Sequence, residues 1–154
     1  MPEPHYPQQN LLLAALPEES YARLQDGLEL VAMPLGWTLS GSGGTLKNAY
    51  FPTSSIISLL CVTIDGDSSE IAVAGNEGMV GISLFLGEQG SSNRVVVQSA
   101  GHGYRLKREY AQREFARGGV FQKLMLRFTQ TLLTQMGQTS VCNRHHSIDQ
   151  QLCR

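Results

Sequence analysis

Gly75-Asn76-Glu77-Gly78-Met79-Val80-Gly81-Ile82-Ser83-Leu84-Phe85-Leu86-Gly87 is the stretch on which the reading of the fold turns. Its glycines are too dense for a strand, because glycine has no side chain to pack and the most backbone freedom to lose. Met79, Ile82, Leu84 and Phe85 instead fit a single helical turn with its apolar residues facing inward. A lone turn of helix set among strands is therefore expected.

On both sides the apolar runs are short and separated by glycine and polar turns, from Leu30 to Leu106. Ile56 to Ile64 and Glu70 to Ala74 flank Asp65-Gly66-Asp67-Ser68, a hairpin signal. Val95 to Gln98 and Tyr104 to Leu106 flank Gly101-His102-Gly103, and a second hairpin is expected there. Gly41-Ser42-Gly43-Gly44 reads as a loop. Strands at this spacing predict an antiparallel sandwich, jelly roll or barrel.

The outer segments are helical. Pro17, Glu18 and Glu19 precede Tyr21, Leu24 and Leu28, a short amphipathic helix with acidic residues in its first turn. Glu109 to Ala116 predicts another, ended by Gly118-Gly119. Val120 to about His146 contains no proline, and Phe121, Leu124, Met125, Phe128, Leu132 and Met136 recur every three or four residues. A helix of ~27 residues is ~40 Å long, more than a domain this size covers. Its stripe of Phe121, Met125, Phe128, Leu132 and Met136 is therefore expected to meet a second copy, forming a homodimer, with the first turns packed on the chain's own barrel; packing of the whole stripe on that barrel is the alternative. Ser147 is a suitable N-cap for one more helix at the C-terminal end.

Composition sets outer limits. The chain has 154 residues, 42% of them hydrophobic, which suits one packed domain. No run approaches the ~20 apolar residues of a membrane span, and the N-terminus lacks a secretion signal. Three widely spaced cysteines (Cys61, Cys142, Cys153) fit a reducing cytoplasm. The net charge of −1 hides an asymmetry: three Lys/Arg against ten Asp/Glu in residues 1–100, and nine against three in 101–154. The basic charges are spread out and do not form a nucleic-acid footprint.

No catalytic residue and no metal ligand set is expected. Metal-dependent jelly-roll enzymes need closely spaced histidines and a carboxylate. His5 and His102 read as isolated, and Gly41-Ser42-Gly43 lacks nucleophile-elbow spacing. Cys142, His145, His146 and Cys153 fit ordinary packing and a polar hinge better than a zinc site.

Met79-Val80-Gly81-Ile82-Ser83-Leu84-Phe85, followed by Asn93-Arg94-Val95-Val96-Val97, resembles the phosphate-binding cassette of the Crp/Fnr family of bacterial transcription regulators. Tyr50-Phe51-Pro52-Thr53-Ser54 and Gly75 to Gly81 resemble a divergent subgroup of it. Asn143-Arg144-His145-His146, leading into Gln150 to Arg154, resembles the hinge that introduces the family's winged helix-turn-helix. The resemblance implies a mainly β fold with flanking helices: an eight-strand double-stranded β-helix (jelly roll) like a cyclic-nucleotide-binding domain, then a long C-terminal dimerisation helix. It divides the chain into a flexible arm (1–10), the roll with its N-terminal helices (11–117), the long helix (118–146) and a truncated hinge and DNA-binding segment (147–154).

The implied function is the effector-sensing and dimerisation portion of such a regulator. A ligand or redox signal would pass through the long helix to a DNA-binding domain absent from these residues. A stand-alone nucleotide- or small-molecule-binding module is the alternative. The implied effector is a cyclic nucleotide or another small anion at Gly81, Ile82, Ser83, Leu84, Arg94 and Val95, with backbone N–H groups of the Gly81–Phe85 turn facing the phosphate. Gln135, Met136, Gln138 and Thr139 of the long helix would lie on the base side. Arg94 has two readings: a partner of phosphate oxygens, or a structural arginine near Glu88 or Glu77. Ile82 stands where nucleotide-binding members carry a glutamate for the ribose hydroxyl, and Val95 where they carry a serine or threonine for the phosphate. Neither can make those bonds, which argues against tight binding of cyclic AMP or cyclic GMP.

Overall fold

The computed structural model describes residues 3–41, 43–87 and 93–145. Seven strands in this set form two antiparallel sheets. One is β1 (Leu28–Met33), β7 (Gly101–Lys107) and β3 (Asn48–Pro52), in the order β1-β7-β3. The other is β2 (Thr38–Ser40), β6 (Asn93–Ser99), β4 (Ile56–Val62) and β5 (Ser68–Ala74), in the order β2-β6-β4-β5. An isolated bridge between Tyr50 and Val80 joins the glycine-rich stretch to β3. This is the jelly roll expected, with seven strands rather than eight among the described residues.

The β4–β5 hairpin forms as predicted, with Ile57 opposite Ala74 and Val62 opposite Ser68. The second predicted hairpin does not. β6 pairs with β2 and β4, whereas β7 pairs with β1 and β3 in the other sheet. The chain changes sheets at Ala100. Gly101 and Gly103 are strand residues in a crowded place: a Cβ on Gly101 would sit 2.6 Å from backbone atoms of Ser54 and Ser55, and one on Gly103 2.8 Å from Phe51 O. The glycines mark close approach between chain segments, not a turn.

The start of the chain is tied to the roll. Pro7–Gln9 forms a 3-10 turn, and Asn10 caps α1 (Leu11–Ala14). Asn10 is fully buried. Its carbonyl accepts from Leu12 N and Leu13 N, and its amide donates to Pro52 O and Gly78 O. The segment expected to be a loose arm thus holds a buried anchor. α2 (Glu18–Gln25) packs on α4 (Arg108–Ala116) through buried Leu24 and Ala111.

Between these helices, Arg23 Nε and Nη2 donate to Glu114 at 2.7–3.1 Å, and Arg117 Nε lies 3.3 Å from the same carboxylate. The Glu114 side chain is 5% exposed and that of Arg23 37%. Arg23→Ala would leave a buried carboxylate with one weaker partner and lower the stability. Glu114→Gln frees arginines that reach solvent and should cost about half as much. Urea unfolding midpoints compare the two, and an equal or reversed ranking would contradict the burial argument.

α5 (Val120–His145) has 26 residues and spans about 39 Å. Phe121, Met125, Phe128 and Leu132 are buried at 1–9% exposure, in one core with Leu24, Phe51 and Leu106. Met136 is partly buried against that core. The stripe expected to meet a second copy is therefore covered by the chain's own roll. Helical periodicity marks a face that will be buried and does not say against what. Beyond Leu132 no described side chain of α5 is buried. No helix among the described residues is long and apolar enough to cross a membrane. The expected helix at Ser147, the side chain of His145, and Glu88, His146 and Cys153 lie outside the described residues.

Candidate functional site

A cavity of about 520 Å³ lies between the roll and α5, within the usual range of small-molecule pockets. Its position follows from three local choices in the sequence. Strand alternation turns Asn93 and Val95 of β6 toward it, alongside Ser40, Leu46 and Leu59. Helical spacing puts Thr129, Leu132, Leu133 and Met136 on its opposite wall. The stretch Val80–Ser83 closes one side.

Gly81 makes that turn possible. Its φ is +118°, and a Cβ there would approach Ala49 Cα to 3.0 Å. Any side chain would meet both backbone strain and β3. The helical turn that follows, α3 (Ser83–Leu86), is fastened to α4 and to the start of α5. Phe85 stacks on Phe115 at 4.6 Å and meets Phe121 edge-on, and Gln112 Nε2 donates to Leu84 O.

Of the residues expected to bind an effector, Gly81, Ile82, Ser83 and Val95 line the cavity, as does Met136. Leu84 is 4% exposed and buried in the core. Leu84 N and Phe85 N donate to Gly81 O and Ile82 O, so the turn itself uses amides that were expected to face a phosphate. Arg94 is exposed and does not line the cavity. The physical reason is parity: Asn93 and Val95 face in, so the residue between them faces out. Gln135, Gln138 and Thr139 line a separate groove against Glu70–Val73 of β5, where Gln135 Oε1 accepts from Val73 N at 3.2 Å. Geometry thus moves the expected cation and three base-side residues away from the cavity.

Ser40, Leu46, Asn93, Thr129 and Leu133 belong to the site and were not singled out from sequence. Thr129, Leu132, Leu133 and Met136 follow an i, i+3, i+4, i+7 pattern, so the three α5 wall positions besides Met136 are readable by period. Ser40 and Leu46 carried no such signal. Thr129 Oγ1 donates to Met125 O at 2.8 Å, and Ser40 Oγ to Gly41 O at 3.3 Å. Each of these hydroxyls is therefore left to act as an acceptor toward an occupant. Among the described residues lining the cavity none is charged.

Elsewhere, His5 and His102 are not isolated as expected. Their rings lie 4.2 Å apart. Among the described residues no group of three His, Cys, Asp or Glu side chains is placed to hold a metal ion.

No family model matches the sequence, and neither does any curated protein. Solved structures do match. A protein from Eubacterium rectale assigned to the Crp/Fnr family of transcriptional regulators has a TM-score of 0.79 at 10% identity, over 94% of this chain and 68% of that one. The c-di-GMP responsive global regulator CLP of Xanthomonas campestris has a TM-score of 0.71 at 12% identity, over 85% of this chain and 66% of that one. The sensor domain of the transcriptional regulator DNR from Pseudomonas aeruginosa has a TM-score of 0.62 at 16% identity, over 92% and 94%. The chain thus spans about two thirds of the two longer regulators and nearly the whole of the sensor domain. With its two-sheet roll, bridged glycine-rich turn and long following helix, the chain has the jelly-roll fold of the cyclic-nucleotide-binding kind found in the sensor domains of Crp/Fnr-type regulators.

Proposed function

We propose that the chain is the effector-sensing and dimerisation portion of a Crp/Fnr-type transcription regulator. One observation carries the reading: the cavity is walled on one side by the roll and on the other by α5, along which Leu126, Leu133 and Val141 are exposed. An occupant of the cavity touches the helix that would carry the signal.

The dimer face is not the stripe first expected. Leu126, Leu133 and Val141 are 48%, 59% and 55% exposed and fall along one side of α5 with Gln130 and Gly137. The seven-residue step from Leu126 to Leu133 suits packing against a second α5. Beyond Leu132 the roll buries no described side chain of the helix, so that length is available to a partner copy. In this reading DNA would be reached only through a domain carried by the helix, and the described residues supply the sensor and the lever.

Sedimentation equilibrium tests the proposal. The chain is expected to dimerise at micromolar concentration, and Leu133→Glu to weaken association by roughly 100-fold by burying an unpaired charge. A monomer at all concentrations, or a dimer indifferent to Leu133→Glu and Leu126→Glu, would overturn it.

A further inference from the structure

The cavity's chemistry narrows what it can hold, a step that rests on the sensing role proposed above. An anion taken from water into an apolar pocket needs a counter-charge or several donors, or the desolvation cost prevents binding. None of the described lining residues is charged. Arg94 faces away on β6, and the amides of Leu84 and Phe85 are used within their own turn, which leaves those of Gly81, Ile82 and Ser83 with no counter-charge beside them. Ile82 and Val95 add apolar surface at the cassette itself.

The remaining polar groups are few and specific. Thr129 and Ser40 hydroxyls already donate to backbone carbonyls, so toward an occupant they accept. Ser83 adds one hydroxyl at the start of α3, and Asn93 of β6 one side-chain amide. Leu46, Leu59, Val95 and Leu132 supply apolar wall on both sides.

We infer that the cavity binds an uncharged, mostly apolar small molecule that carries a hydrogen-bond donor, and that it does not bind a cyclic nucleotide. The donor meets Thr129 or Ser40, and the apolar body lies between β6 and α5.

Two probes sharing one aromatic frame test this directly. N-phenyl-1-naphthylamine is uncharged and carries an N–H, and 1-anilinonaphthalene-8-sulfonate is its sulfonated analogue. Fluorescence titration of the 154-residue chain should show one uncharged probe per chain, bound at least tenfold more tightly than the sulfonate. Cyclic AMP and cyclic GMP should not displace it. Ser83→Phe fills the cavity and should weaken the uncharged probe at least tenfold. Leu86→Trp, at the 61% exposed rim, does the same job with little demand on folding.

Tighter binding of the sulfonate or of either cyclic nucleotide would overturn the inference while leaving a sensing role intact. Binding of the uncharged probe that neither folded variant weakens would place it elsewhere and overturn the inference too. No saturable binding of any probe would also overturn it, and the sedimentation result would still decide the dimer separately.

Discussion

Asn10→Ala is expected to destabilise the protein by about 3–4 kcal/mol, because four hydrogen bonds, two of them the cap of α1, are lost at a site water does not reach. The Asn10 carbonyl oxygen caps α1 through Leu12 N and Leu13 N, and its amide nitrogen lies 2.9 Å from Pro52 O and 2.8 Å from Gly78 O. One fully buried side chain therefore holds together α1, the end of β3 and the glycine-rich stretch. Asn10→Asp separates the two roles. It keeps the cap acceptor, loses both donors and aims a carboxylate at two carbonyl oxygens. That setting raises the folded-state pKa of the new carboxyl above its unfolded value. The stability of the variant should then be greatest below the unfolded pKa and fall as pH rises through the folded one. Chemical denaturation at about pH 4 and pH 7 checks the sign, with the gap to the parent protein narrower at the lower pH. Equal gaps at both would mean that the side chain has rotated out to solvent.

Gly101→Ala is expected to cost about 3 kcal/mol or more, as overpacking against backbone does. The new Cβ would fall 2.6 Å from Ser54 C, Ser54 O and Ser55 N, none of which can swing aside. The same contact region is stitched by hydrogen bonds: His102 O accepts from Thr53 N and Ser54 N at 3.0 and 3.1 Å, and Ser54 Oγ accepts from His102 N at 2.9 Å. Making room for a methyl group strains these bonds together. Gly119→Ala is the matched control, since nothing lies within 4 Å of a Cβ there. Thermal unfolding of the two variants should separate them clearly, and similar melting temperatures would contradict the packing described.

Gly101 also shows what a glycine leaves open in a sequence. A glycine beside a strand looks the same whether it turns the chain or lets another segment pass close by. Only the second applies at Gly101 and Gly103, so the chain crosses between sheets where the glycine spacing predicts a hairpin. The β4–β5 hairpin was legible because Asp65-Gly66 sits between two apolar runs that pair locally. α5 was legible to within a residue at its start because its period is long and unbroken. Its burial partner was not, since the 3.6-residue period defines a face without naming what covers it.

The cavity divides in the same way. Gly81, Ile82, Ser83 and Val95 were found through the resemblance and do line it. Arg94 matches the family's arginine in the resemblance, but which of two neighbouring strand residues faces inward depends on a register that matching residue types cannot supply. Asn93 holds the inward position. Gln135, Gln138 and Thr139 were chosen as polar neighbours of Met136, yet their side of the helix faces β5.

Leu133 lines the cavity and is also 59% exposed on the free side of α5. In a dimer built on that side, one side chain serves two equilibria. Thermodynamic linkage makes the coupling symmetric: the factor by which an occupant strengthens or weakens subunit association equals the factor by which association changes the occupant's affinity. The concentration of the protein then sets the threshold at which it responds. Two cells holding the same amount of effector but different amounts of the protein would read different signals.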